Sequence, residues 1–163
     1  TGALLHTVFH AFIKCALFLT AGIVIYQTGK TRVCELQGIG KEMPRTLWCY
    51  TFAALGLIGI PPMSGFVSKW YLAQGALSAQ AGVFRYLGPA VLLVSALLTA
   101  GYLLPVTIDG FLPGKNWKKE SEKLEAPPGM LFPLALIAVL TILLGLFPNP
   151  LASYIRDLAV TLL

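Results

Sequence analysis

Residues 3–28 read ALLHTVFHAFIKCALFLTAGIVIYQT, a run that is apolar except for His6, His10 and Lys14. At about 1.5 Å per residue, a helix of this length crosses the roughly 30 Å hydrocarbon core of a bilayer. Gly29 follows the run, and glycine is a common helix terminator. The stretch therefore predicts a transmembrane helix over 3–28.

The whole chain is as rich in apolar residues as a membrane protein. Of its 163 residues 56% are hydrophobic and 12% are charged, and the mean hydropathy is +0.76. The charged residues concentrate between the apolar stretches, chiefly at 30–45 and 109–125. This distribution is typical of segments that flank a membrane and differs from the basic face of a nucleic acid-binding protein. We expect an integral membrane protein surrounded mainly by lipid, with no nucleic acid partner.

The apolar stretches predict an all-α fold with five transmembrane helices, at 3–28, 45–60, 65–80, 84–109 and 129–147. The pattern of residues 151–163 predicts a further helix lying at the membrane interface. If all five spans cross, loop 30–45 and the loop near Arg85 share one side, and the hydrophilic connection 113–128 lies on the other. We expect residues 1–163 to form a single membrane domain.

A helix break is predicted between the second and third spans, in the segment Gly59-Ile-Pro-Pro-Met-Ser-Gly65. Pro61 and Pro62 have no backbone N–H, and each restricts the conformation of the residue before it. A continuous helix cannot pass through them. We therefore assign the break to Pro61, Pro62 and Gly65.

Lys69 is an ionisable residue in the otherwise apolar third span. Its position just beyond the break is typical of transporter sites in which unwound backbone and helix ends solvate an ion. The structural alternative is a lysine that extends to the membrane surface beside Trp70. Ser64 and Ser68 are interpreted as polar neighbours or helix caps.

His6, His10 and Lys14 are spaced by four residues in the first span. Each step of four drifts by only about 40° around a helix, so the three side chains face the same neighbour. Ionisable groups at this depth cost a few kcal/mol against lipid, which predicts that they face protein or water. Because histidine titrates near neutrality and lysine does so when desolvated, the row predicts a proton relay.

Two other interpretations of this row stay open. The side chains could be core residues that bond a neighbouring helix, or His6 and His10 could bind zinc, since two histidines four apart on a helix are a zinc spacing. The chain has three cysteines but no C-x-x-C motif and no phosphate-binding loop. We expect no metal and no cofactor, and we expect any redox chemistry to belong to partner subunits. Because the chain starts at Thr1, it is expected to be a piece of a longer polypeptide.

Three motifs occur in order: His6-x3-His10-Ala-Phe-x-Lys14-x2-Leu-Phe-Leu-x-Ala-Gly22, Gly38-Ile-Gly-Lys-x-Met-Pro44 and Gly59-Ile-Pro-Pro-x-Ser-Gly-Phe-x-Ser-Lys69. Together they resemble the antiporter-like membrane subunits shared by complex I, membrane-bound group 4 hydrogenases and multisubunit Na⁺/H⁺ antiporters. The match covers most of the chain.

The resemblance implies proton translocation, or Na⁺/H⁺ exchange, as part of a redox-driven pump or antiporter. His6, His10 and Lys14 match the family's histidine/lysine helix that connects two half-channels, and Lys69 matches the lysine of its broken helix. The implied partners are other membrane subunits and the N-terminal portion of the subunit, of which this chain would be the C-terminal third. The implied location is a prokaryotic plasma or inner membrane. The competing functions are a structural membrane subunit without conduction and a membrane metalloprotein.

Overall fold

A computed structural model describes residues 1–80, 82–114, 117 and 124–162. Every regular element in this part of the chain is helical, which confirms the predicted all-α class. The helices are α1 (Gly2–Thr28), α2 (Ile39–Glu42), α3 (Pro44–Ile58), α4 (Ser64–Ser78), α5 (Leu87–Phe111), α6 (Pro128–Leu146) and α7 (Asn149–Leu162), with 3₁₀ turns at Val33–Leu36 and Gly82–Tyr86. Residues 115, 116 and 118–123 of the predicted hydrophilic connection lie outside the described residues.

The first predicted span is the 27-residue helix α1. It ends at Thr28 because Gly29 adopts the left-handed conformation, with φ 69°, and donates its N–H to the carbonyl of Ile25. Among the described residues, three helical segments are long and apolar enough to cross a membrane, namely Gly2–Thr28, Gly82–Phe111 and Pro128–Leu146. The expectation of a membrane protein agrees with these three segments.

Helices α3 and α4 have 15 residues each, and a helix of that length is only about 22 Å long. Both lie along α1, one after the other. The buried clusters group Ile23 of α1 with Leu47 of α3, Ile13 with Ala54, and Leu5 with Val67 of α4. As the chain advances from α3 into α4, the matching position on α1 moves steadily towards its N-terminus. The two short helices therefore run in the same direction, antiparallel to α1.

This arrangement corrects the predicted sides of the loops. Loop 30–45 and the described residues of connection 113–128 lie at the same end of the molecule, since Glu125 accepts a hydrogen bond from the backbone N–H of Arg45 at 2.9 Å. The ammonium of Lys41 also lies 5.1 Å from the ring centroid of Trp117. The prediction failed because it assumed that the chain reverses at the break, whereas α4 continues the path of α3. Five separate spans are not confirmed.

The remaining helices close the bundle. Pro105 lies inside α5 and Pro133 inside α6, and neither ends its helix. A Cβ added at Gly145 of α6 would overlap the carbonyl oxygen of Pro62, so α6 touches the break between α3 and α4 directly. The predicted C-terminal helix is present as α7, and its buried residues Ala152 and Ile155 belong to the cluster at the N-terminal end of α1. Its position at the membrane interface stays a prediction.

Candidate functional site

The site is built around the interruption between α3 and α4. Helix α3 ends at Ile58, and Gly59 takes a left-handed conformation with φ 93°. In a continuing helix the carbonyls of Leu57 and Ile58 would accept hydrogen bonds from the amides four residues later. Those residues are Pro61 and Pro62, which have no N–H to donate. The break therefore leaves two carbonyl oxygens that need another donor.

Lys69 supplies that donor. Its ammonium donates to the carbonyl oxygen of Leu57 at 2.9 Å and to that of Ile58 at 2.8 Å. The side chain passes so close to Gly59 that a Cβ there would lie 3.0 Å from the Lys69 Cδ. Instead of extending to a membrane surface beside Trp70, the lysine folds back onto the end of α3. The sequence contained part of this signal, since two consecutive prolines just after a helix leave the carbonyls four residues before them without amide donors.

The row on α1 forms as its spacing predicts. His6, His10 and Lys14 are each half-buried, and the two imidazole ring centroids lie 5.5 Å apart. His10 lies one turn from both His6 and Lys14 along α1, and Ser68 of α4, the residue before Lys69, lies beside His6. The structure thus brings the four predicted residues into one region between α1 and α4.

One hydrogen bond joins the two helices at this point. The Nδ1 atom of His6 lies 2.9 Å from the hydroxyl oxygen of Ser68, the residue next to Lys69. Ser68 is fully buried and donates its hydroxyl hydrogen to the carbonyl of Gly65 at 3.1 Å. Sequence reasoning treated Ser68 only as a neighbour or cap, because no spacing rule relates positions 62 residues apart.

Close backbone packing holds the break in place. A Cβ on Gly65 would overlap the carbonyl oxygen of Gly56 in α3, and it would lie 3.4 Å from the side chain of Ile13 in α1. Ser64, at the start of α4, is fully buried, and its hydroxyl has no hydrogen-bond partner among the described residues. The three helices therefore meet at the break with no room for a larger residue at position 65.

A carboxylate binds the other end of α3. Glu125 accepts hydrogen bonds from the N–H of Arg45 at 2.9 Å, from the N–H of Thr46 at 3.3 Å and from the Thr46 hydroxyl at 2.7 Å. An acid at the N-terminus of a helix and a cation at its C-terminus both interact favourably with the helix dipole. Helix α3 therefore carries Glu125 at one end and Lys69 at the other. No local sequence pattern points to Glu125, which is 80 residues from Arg45.

No metal site is visible in the described part of the chain, where no three His, Cys, Asp or Glu side chains lie together as ligands would. The site instead consists of titratable basic groups, a buried serine and helix-end carbonyls. A basic row on one membrane helix that meets a lysine at a helix interruption is an arrangement typical of the class of membrane transporters with discontinuous helices.

The comparison with known families agrees with this class. The profile of the family described as NADH:quinone oxidoreductase/Mrp antiporter, TM, matches residues 1–99. The chain belongs to this family.

The relatives include both kinds of protein that this description names, the quinone oxidoreductases and the antiporters. The chain is 41% identical to NADH-quinone oxidoreductase subunit N of Desulforudis audaxviator over 98% of its length, which is 33% of the relative. It is 32% identical to a Na(+)/H(+) antiporter subunit of Bacillus subtilis over 99% of its length, which is 32% of that relative. The chain thus spans about a third of the length of these relatives.

The fold also matches a solved structure. A chain of respiratory complex I from Thermus thermophilus with bound NADH superposes with a TM-score of 0.73 and 25% identity, covering 90% of the present chain and 30% of that one. The helical arrangement described above is therefore shared with that chain.

Proposed function

We propose that the chain carries protons, or exchanges Na⁺ for protons, as part of a multisubunit redox-driven ion pump or cation/proton antiporter. Family membership supports the class of activity. The observation that carries the proposal is the hydrogen bond between His6 and Ser68, since it holds the basic row of α1 beside the segment that contains Lys69.

The mechanism follows from the proximity of like charges. A proton on one basic group makes protonation of its neighbour less favourable, because the Coulomb energy between charges a few ångströms apart is large where water is scarce. His10 lies between His6 and Lys14 along α1, so a charge gained at either neighbour acts on it. Protons move along His6, His10, Lys14 and Lys69 as the charge of each changes.

The contacts of α3 and α4 along α1 favour four membrane crossings. In this arrangement α3 and α4 together form one interrupted crossing. The two loop ends that meet at Glu125 then lie on one side of the membrane. Counted along the sequence, eight of the twelve Lys and Arg residues fall within segments 30–45 and 113–128, namely Lys30, Arg32, Lys41, Arg45, Lys115, Lys118, Lys119 and Lys123. Arg85 and Arg156 belong to the other side. By the positive-inside rule, the end with eight basic residues faces the cytoplasm.

Other membrane subunits, or further segments of a longer subunit, are the proposed partners. His6, His10 and Lys14 keep part of their surface exposed in this chain, and ionisable groups exposed to lipid are costly. Another membrane segment must therefore cover this face of α1. The bacterial relatives favour a plasma membrane location. That residues 1–163 are the C-terminal part of a longer subunit stays a prediction.

The test is transport by the complete complex reconstituted in vesicles. We expect Lys14→Ala to abolish proton movement while the complex still assembles. Lys41→Ala is the matched control, because Lys41 is exposed and lies in the loop end outside the predicted crossings. Proton movement at the wild-type rate in Lys14→Ala vesicles would rule out the relay.

A structural role is the second candidate, favoured by the way Lys69 caps α3. Under that alternative the basic groups serve helix association. Lys14→Ala and Lys69→Ala would then reduce the amount of assembled complex and would leave transport per assembled complex unchanged.

A further inference from the structure

The buried hydroxyl of Ser68 lies between two polar groups of different kinds. It donates to the carbonyl of Gly65 at 3.1 Å, and its oxygen lies 2.9 Å from the Nδ1 atom of His6. A serine hydroxyl has one hydrogen, and a carbonyl can only accept. Because the carbonyl takes that hydrogen, the second bond needs a hydrogen from the imidazole. The bonds therefore run from His6 Nδ1–H to the Ser68 oxygen, and from the Ser68 hydroxyl to Gly65.

The packing around these bonds shields them from water. Ser68 has no exposed surface, so bulk water does not compete for its hydroxyl. Close contact with the carbonyl of Gly56 limits movement of the backbone at Gly65 towards α3. A neutral imidazole carries its hydrogen on one nitrogen only. With the hydrogen on Nδ1, the Nε2 atom of His6 keeps a free lone pair.

We propose that Ser68 is a positioning residue that holds neutral His6 as the Nδ1–H tautomer, so that protons enter and leave His6 only at Nε2. The inference rests on the proposed relay role of His6. A proton that arrives from water or from His10 binds the Nε2 lone pair and forms the imidazolium. Loss of a proton from the same atom restores the neutral ring, and the Nδ1–H bond is never broken.

This geometry also excludes one route for the proton. Ser68 is adjacent to Lys69, and a hydroxyl between two titratable groups can in general pass a proton on. Here the Ser68 hydrogen is donated to a backbone carbonyl, which is a very weak base, so the chain of bonds ends at Gly65. Transfer between the α1 row and Lys69 must therefore use the Nε2 side of His6 or go through His10.

The direct test is solid-state ¹⁵N NMR of the complete complex with labelled histidine, in which a His6→Gln difference spectrum identifies the signals of His6. We expect neutral His6 to be protonated at Nδ1 in the wild-type protein and in Ser68→Thr, which keeps a hydroxyl. In Ser68→Ala the Nε2–H tautomer becomes the major form. Ser78→Ala is the control, since Ser78 is on the same helix and its hydroxyl bonds only its own helix, at the carbonyl of Gln74.

Three results would overturn the inference. These are an Nε2–H tautomer in the wild type, an unchanged tautomer in Ser68→Ala, and a ring that stays protonated at both nitrogens at every pH at which the complex is folded. Transport provides an independent check, because Ser68→Ala should slow proton movement and Ser68→Thr should restore it. If proton movement slowed equally in Ser68→Ala and Ser68→Thr, Ser68 would act by filling space and not by positioning His6. If His6→Gln left transport unchanged, the relay role would fail even with the tautomer as expected.

Discussion

The ammonium of Lys69 donates a hydrogen bond to the carbonyl oxygen of Ile58, the last residue of α3, at 2.8 Å. The bond spans the interruption and replaces an amide that Pro62 cannot provide. Lys69 thus combines a structural contact with a charge inside the predicted membrane region. The two roles can be separated, because one depends on donating hydrogen bonds and the other on releasing a proton.

The substitution Lys69→Arg separates the hydrogen-bonding role of this residue from its proton-releasing role. Arginine donates hydrogen bonds to carbonyls but is not deprotonated in proteins. We expect the complex to assemble with near wild-type thermal stability and to lose proton translocation. Lys69→Met, which cannot cap the Leu57 and Ile58 carbonyls, should lose stability as well, by about 1–3 kcal/mol. Thermal unfolding and vesicle transport measure the two effects, and an arginine variant that pumps normally would contradict the relay role of Lys69.

Gly65→Ala should disrupt the junction of α1, α3 and α4. The added methyl group would overlap the carbonyl of Gly56, and overpacking of this kind costs about 1–3 kcal/mol. Gly75→Ala on the same helix is the control, because a Cβ there meets nothing within 4 Å. It should be neutral or stabilising by up to about 1 kcal/mol. Equal thermal stability of the two variants would show that the break is not tightly packed.

Glu125→Ala should destabilise α3 by about 1–2 kcal/mol, because it removes the acceptor for three donors at the helix start. Glu125→Gln keeps one acceptor oxygen and should lose less. Glu35→Ala is a comparison variant, since Glu35 is exposed and caps only a short 3₁₀ turn, and its effect should stay within about 0.5 kcal/mol. These values are read from thermal or denaturant unfolding. A Glu125→Ala variant as stable as the wild type would contradict the assigned cap.

Labelling of cysteines from each side of the membrane distinguishes four crossings from five. Cys34 is exposed in the loop before α3, and Gln80 lies just beyond α4. With Cys15 and Cys49 replaced by alanine, a membrane-impermeant maleimide should reach Cys34 and a Gln80→Cys substitution from opposite sides. If α3 and α4 each crossed separately, both cysteines would react from the same side.

Much of this protein follows from local rules applied to the sequence. The length of the apolar run fixed α1, and the spacing of four placed His6, His10 and Lys14 on one face of it. Pro61 and Pro62 dictated an interruption because they cannot donate backbone hydrogen bonds. Each of these inferences depends on residues within one or two helical turns of each other, and such relationships can be read from the sequence.

The tertiary structure decided how these pieces combine. The sequence contained the break but not the direction of the chain beyond it, so α4 was expected to return across the membrane when it in fact continues α3 along α1. The contacts His6–Ser68 and Arg45–Glu125 join positions 62 and 80 residues apart. Such pairs depend on which helix faces become neighbours when the whole bundle packs. That packing must leave few voids and few buried polar groups without hydrogen bonds across all helices at once, so no local pattern specifies it.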